Sequence, residues 1–166
     1  MSNPSEDPIG PPSHLDADGN ARMVDVGNKP VTVRTALAAS RIAMSMDAAN
    51  AIRENALSKG DALAVARIAA ISAVKQTSHL IPLCHAILID GVTVDLGWVD
   101  PKTLECRVGV RSTGKTGVEM EALTAASVAA LAIYDMCKSI DRSMEIRQVR
   151  LIEKTGGQRG DFHRSE

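Results

Sequence analysis

The residues best placed to do chemistry stand at the two ends of one segment, Gly114 to Lys138 (GKTGVEMEALTAASVAALAIYDMCK). At its far end Asp135 and Lys138 are three positions apart, which in a helix sets both on one side. In open water such a pair is a surface ion pair contributing at most ~1 kcal/mol. Beside a buried surface the carboxylate would instead hold the amine ready for proton transfer. Burial and charged neighbours move a lysine pKa in opposite directions, so spacing alone leaves its sign open. At the near end stand Glu119 and Glu121. They either favour the helix dipole, at ~0.3–1 kcal/mol each, or accept hydrogen bonds from a polar substrate. Between the ends run thirteen uncharged residues, Ala122 to Tyr134. A helix this apolar is buried on most sides, so its terminal charges face something other than bulk water.

Lys115 sits in Thr113-Gly114-Lys115-Thr116-Gly117 just before that segment. Gly109, Gly114, Lys115 and Thr116 match the letters of a phosphate loop, GxxxxGK[ST]. The context does not fit, because Gly109 falls inside an expected strand of an antiparallel sheet. Phosphate binding by backbone amides and Lys115 stays open. His85 follows Cys84 in LIPLCH. Adjacent side chains rarely share one metal, and His14, His79 and His163 are scattered, so an acid–base or polar histidine fits better than zinc. Cys84 reads as a small core residue. Lys154, with Gly156, Gly157, Gln158, Arg159 and Gly160, reads as a flexible basic loop, either a solvated tail or a lid over an anionic ligand. Arg34, Lys59 and Arg67 add cations elsewhere. Several cations without net basicity suit a local pocket for a small polyphosphate.

Composition bounds these readings. The chain has 166 residues, 45% hydrophobic, with a formal net charge of −1. That length suits one domain with a real core. The charge gives no field to attract nucleic acid, and 2% aromatics leaves little for base stacking. Three cysteines without short spacing argue for free thiols in a reducing compartment. The Pro-rich start lacks an apolar signal region, and no uncharged run reaches the ~18 residues of a membrane span. The expectation is a cytoplasmic protein with no membrane and no nucleic-acid partner. Ala-rich helices bury little area per residue, which points to self-association.

The elements that must position these groups follow from patterning. Residues 1–20 read as a disordered tail, and 21–163 as one catalytic domain. Val31 to Met44 reads as a strand. Ser45 or Asp47 caps a helix to about Leu57, and Asp61 caps a second from Ala62 to Gln76. Ile87 to Leu96 and Leu104 to Arg111 alternate as strands. The long helix runs from about Val118 to Ile140, and Met144 to Ile152 is a last strand. Strand, helix pair, strand, strand, helix, strand is the split β-α-β order. It predicts an α+β, ferredoxin-like antiparallel sheet with helices packed on one face, the other face needing cover.

Four stretches carry a resemblance: MVDVGNKPVTVR, KGDALAVARIAAISAVKQTSHLIPLCH, TGKTGVEMEALTAASVAALAIYDMCK and VRLIEKTGGQRGDF. Over about Met23 to Phe162 the chain resembles the MoaC family of molybdenum cofactor biosynthesis, the cyclic pyranopterin monophosphate synthases. The resemblance implies conversion of 3′,8-cyclo-7,8-dihydroguanosine 5′-triphosphate, derived from GTP, to cyclic pyranopterin monophosphate with release of pyrophosphate, a lyase reaction. It also implies a hexamer built as three dimers with active sites at subunit interfaces. By position, Asp135, Lys138 and Lys154 match the catalytic motif. Arg34, Lys59, His85, Glu119 and Glu121 match pocket residues, to which the glycine-flanked Lys115 adds a phosphate contact. No organic cofactor is implied, and a divalent metal travelling with the triphosphate is left open. Ser58, His79 and Ala86 depart from the family pattern. Two other readings compete: a non-catalytic nucleotide-binding scaffold of the same pathway, and a metal-dependent hydrolase using His85 and the two glutamates.

Overall fold

In the computed structural model, residues 15–16, 18–157 and 160–165 are described. Eight elements follow in order: β1 (Thr32–Ala43), α1 (Met46–Arg53), α2 (Ala62–Leu80), β2 (Gly91–Asp100), β3 (Thr103–Gly114), α3 (Glu119–Cys137), β4 (Glu145–Thr155) and β5 (Phe162–His163). The strands form one antiparallel sheet in the order β2-β3-β1-β4-β5. This is the expected α+β ferredoxin-like arrangement, with β5 added at the edge. Most of the expected tail lies outside the described residues. Leu15 bridges to Ala21 around a turn in which Asp16 accepts from the Asn20 backbone.

Side-chain alternation along β1 decides which groups meet the helices. Ala36, Ala38, Ser40 and Ile42 are buried, and they pair with Val110, Val108, Cys106 and Leu104 of β3. Arg34 shares their parity and therefore their face. α3 lies across this face with Ala122, Ala125, Ala126, Ala129, Ala130 and Ile133 fully buried. Methyl side chains let its backbone come close to the sheet, and Ser40 Oγ donates to the Ala126 carbonyl at 2.7 Å. By length and hydropathy α3 would pass for a membrane span, but it is a core helix sandwiched between the sheet and α2. Ile42, Leu104 and Ile133 fill the second half of the core. Truncating Ile133 to Ala would cost ~2–5 kcal/mol.

The starts of α1 and α2 obey capping chemistry. Ser45 accepts from Ala48 N–H, and Asp61 accepts from Leu63 and Ala64 N–H. α2 continues to Leu80, past the expected stop at Gln76, because the helix-breaking influence of Pro82 reaches back only to Ile81, which is extended (φ −111°, ψ 104°). The expected strand from Ile87 starts instead at Gly91. Ile87 and Ile89 pack against the core from a loop, which produced the alternation without a ladder.

One expectation is corrected. Lys154 is not on a flexible loop: it lies in β4, paired with Ala36 of β1. The sheet face turned away from the helices, expected to need cover, carries a charged cluster. Glu105 there accepts from Arg41 Nε at 2.8 Å and Arg150 Nη2 at 3.3 Å, with Arg107 Nε at 3.7 Å. Exposed apolar groups lie on strands and helices alike: Val33 of β1, Val99 of β2 and Val149 of β4, with Val65 and Ile68 of α2 and Leu131 of α3.

Candidate functional site

A cavity of about 670 Å³ opens beside the first turn of α3. β1 supplies Arg34, β4 supplies Lys154, and the turn after β4 supplies Gly156 and Gly157. The loop that Pro82 forces after α2 brings in Cys84 and His85. The β3–α3 turn contributes Lys115 and Glu119, and the segment before β1 contributes Val24, Val26 and Lys29. Five of the expected site residues therefore meet: Arg34, His85, Lys115, Glu119 and Lys154. The helix face of the sheet explains two of them. Ala36 and Lys154 are register partners, so the lysine leaves the sheet on the same side as Arg34 and reaches Glu119 Oε1 at 3.5 Å.

Lys115 is committed differently from the expectation. Its Nζ donates to the Gly27 carbonyl at 2.5 Å and so ties the 24–29 wall to the β3–α3 turn. The first glycine of the phosphate-loop letters falls inside a regular antiparallel strand, with Gly109 opposite Leu37.

Glu121 stands behind the cavity. It is 2% exposed, Cys84 Sγ donates to its Oε1 at 3.6 Å, and its Oε2 is buried without a partner among the described residues. Burial raises its pKa. Burial, then the Glu121 charge, pushes the Cys84 thiol up to about 11, so Cys84 stays a protonated thiol at neutral pH rather than a nucleophilic thiolate. Cys84 therefore belongs to the cavity wall and not only to the core.

The remaining three expected residues assemble elsewhere. Asp135 Oδ1 pairs with Lys138 Nζ at 2.7 Å, and Asp135 Oδ2 with Lys59 Nζ at 3.1 Å. Lys59 also donates to the Asp135 carbonyl at 2.8 Å. The Lys138 hydrogen bond, then that from Lys59, holds the Asp135 carboxyl below its ordinary pKa. This cluster is at the opposite end of α3. Eighteen helical steps separate Glu119 from Cys137, about 27 Å at ~1.5 Å per residue. Within one chain the acid–amine cluster and the cavity do not touch. Among the described residues no three His, Cys, Asp or Glu side chains converge as metal ligands.

Sequence reasoning missed Lys29, Val24, Val26 and Cys84 as cavity residues. Lys29 had a signal, a lone cation in the Gly27–Pro30 turn next to the strand carrying Arg34. The two valines had none, because β-branched residues before a strand read as strand.

Fold and cavity together define an α+β domain with a partly enclosed, cation-bearing pocket. The chain belongs to the MoaC family, whose profile matches residues 23–157. It is similar to the cyclic pyranopterin monophosphate synthase of Rhodopirellula baltica, 56% identical over 162 residues, covering 92% of this chain and 93% of that one. The proteins of the same name from Desulfitobacterium hafniense and Chloroflexus aggregans are 52% and 54% identical. Each alignment covers 93% of this chain and 94% of the relative.

Proposed function

We propose that this chain is a cyclic pyranopterin monophosphate synthase of molybdenum cofactor biosynthesis. It takes 3′,8-cyclo-7,8-dihydroguanosine 5′-triphosphate to cyclic pyranopterin monophosphate and pyrophosphate. The observation that carries the reading is end-to-end similarity, above half identical residues, to relatives bearing that name. A cavity with Arg34, Lys154, Lys29 and Lys115 in its walls supports a triphosphate ligand.

The reaction opens the purine, recloses it to a pterin and forms a cyclic phosphate. In the last step a ribose hydroxyl oxygen bonds the α-phosphorus, the bond to the β-phosphate breaks, and pyrophosphate leaves. Each stage needs a proton moved. Lys138, oriented by Asp135, is the general acid–base, a role contributing ~10²–10⁴ in rate. Lys154, steered by Glu119, assists at the purine or at the phosphate. His85, in the same cavity wall, shares proton transfer or hydrogen-bonds the base. Arg34 carries the charge of the phosphate chain, with Lys59 adding a cation from the Asp135 cluster. Glu121 acts from behind the wall through Cys84.

Because one chain keeps the two clusters about 27 Å apart on the rise of an α-helix, the proposal unites them by pairing copies. The cavity of one subunit receives Lys59, Asp135 and Lys138 of another, within a hexamer of three dimers. Exposed Ile68 and Leu131 on the helices support such association. No organic cofactor enters the scheme, and a divalent metal would arrive with the triphosphate. A cytoplasmic location belongs to the same proposal and is supported by three free thiols.

The deciding experiment gives purified protein the cyclised GTP intermediate and follows the pterin product and pyrophosphate by mass spectrometry. Formation of both supports the reading. Binding without either product would return the chain to a scaffold role.

A further inference from the structure

Arg34 leaves β1 on the helix face and ends in the cavity wall, only 8% exposed. Its Nε is buried and has no hydrogen-bond partner among the described residues. A guanidinium withdrawn from water without a counter-charge is costly unless a ligand supplies one. The turn after β4 runs alongside it. Gly156 and Gly157 both adopt left-handed backbone, φ 84° and 92°. A side chain at either would collide, but with different things. A Cβ on Gly156 would stand 2.3 Å from the Val33 carbonyl oxygen, which is backbone of the central strand. A Cβ on Gly157 would stand 1.9 Å from Arg34 Nη1 and 3.0 Å from Arg34 Cζ. The first collision threatens the sheet. The second displaces only the tip of one side chain.

We propose that Gly157 is a positioning residue for anion recognition: its missing side chain is the space in which the Arg34 guanidinium stands to grip the phosphate chain of the ligand. A methyl group there pushes the planar fork out of the cavity wall while Lys154, held in the β4 ladder opposite Ala36, keeps its place. The identity of the ligand as a triphosphate rests on the function proposed above. The dependence of Arg34 on Gly157 does not.

The test is calorimetric titration of the full chain with inorganic pyrophosphate, joined to steady-state kinetics. Gly157→Ala should weaken pyrophosphate binding by about tenfold, the scale of one lost charge-assisted contact, and raise KM more than it lowers kcat. Gly160→Ala is the control: it has the same left-handed backbone (φ 70°) with nothing within 4 Å of its Cβ, and it should leave pyrophosphate affinity unchanged. Gly157→Asn, which tolerates left-handed backbone better, should match Gly157→Ala and covers the case in which the alanine variant folds poorly. In an Arg34→Ala background, Gly157→Ala should add nothing. Equal losses with and without Arg34, or wild-type affinity in both Gly157 variants, would overturn the proposal. So would a wild-type chain indifferent to pyrophosphate. Pyrophosphate binding that shows the coupling, in a protein that does not turn over the cyclised nucleotide, would keep this inference and remove the synthase reading.

Discussion

Lys154 Nζ lies 3.5 Å from Glu119 Oε1, so β4 delivers a cation onto the first turn of the buried helix. Both side chains are partly shielded, at 23% and 31% exposure, and both face the cavity. Lys154→Ala should therefore lower product formation by ~10²–10⁴ if the amine moves a proton. The far-ultraviolet circular dichroism should stay that of the wild type. Glu119→Gln should give a smaller loss, because it removes the steering charge and not the amine. Near-normal turnover of Lys154→Ala would take this lysine out of the chemistry.

The Asp135–Lys138 pair calls for a different test. Lys138→Ala should abolish turnover and leave the oligomer intact by light scattering. If two chains share each site, Lys138→Ala and Lys154→Ala protein refolded together should regain activity. Random pairing of two inactive subunits gives half mixed dimers with one intact site of two, about a quarter of the wild-type rate. No recovery on mixing would place both lysines in one chain's site.

Lys115 ties the 24–29 wall to the β3–α3 turn through Gly27. Lys115→Ala should raise KM more than it lowers kcat and speed proteolysis within residues 24–29. Unchanged KM together with unchanged proteolysis would leave the lysine a solvated charge.

Glu121 predicts a pH effect. Its carboxyl has a raised pKa because burial disfavours the charged form. The folded state thus binds its proton more tightly than the unfolded state does. The stabilising contribution is present below the ordinary glutamate range and is lost as pH rises through the folded value. Glu121→Gln, which stays uncharged, should raise the melting temperature at pH 7 and flatten its decline from acid toward neutral pH. A lower melting temperature at pH 7 would mean that the charged form is stabilised by a partner.

Much of this architecture was legible in the chain. The capping residues Ser45 and Asp61, the alternation along β3 and the uncharged run of α3 each follow from one local rule, and each element formed. What local rules miss is long-range pairing. β4 loses its alternation at Gln148, whose φ of 54° accompanies shifts in register against β1. The strand reads only as far as Ile152, where the register shifts again, and Lys154 falls among glycines that suggest a loop. For the site, residue types and spacing named five cations, of which Arg34, Lys115 and Lys154 line the cavity and Lys59 and Lys138 stand apart with Asp135. Types and spacing set Asp135 and Lys138 a helix length from Glu119 and Glu121, but gave no sign that Arg34, His85 and Lys154 gather at the glutamate end, or that Lys115 is tied to a backbone carbonyl. Those are matters of which chain segments meet in space.

The middle position of β1 in the sheet bears on how this protein comes into being. Its neighbours β3 and β4 are encoded about sixty and a hundred residues later. A ribosome making the chain releases β1 long before either neighbour exists, and contacts so distant in sequence form slowly. Arg34 waits on an unfinished ribbon until Lys154 has been translated. The cavity is thus among the last features to mature, and shortening the chain ahead of β4 would yield a nascent polypeptide with an open seam.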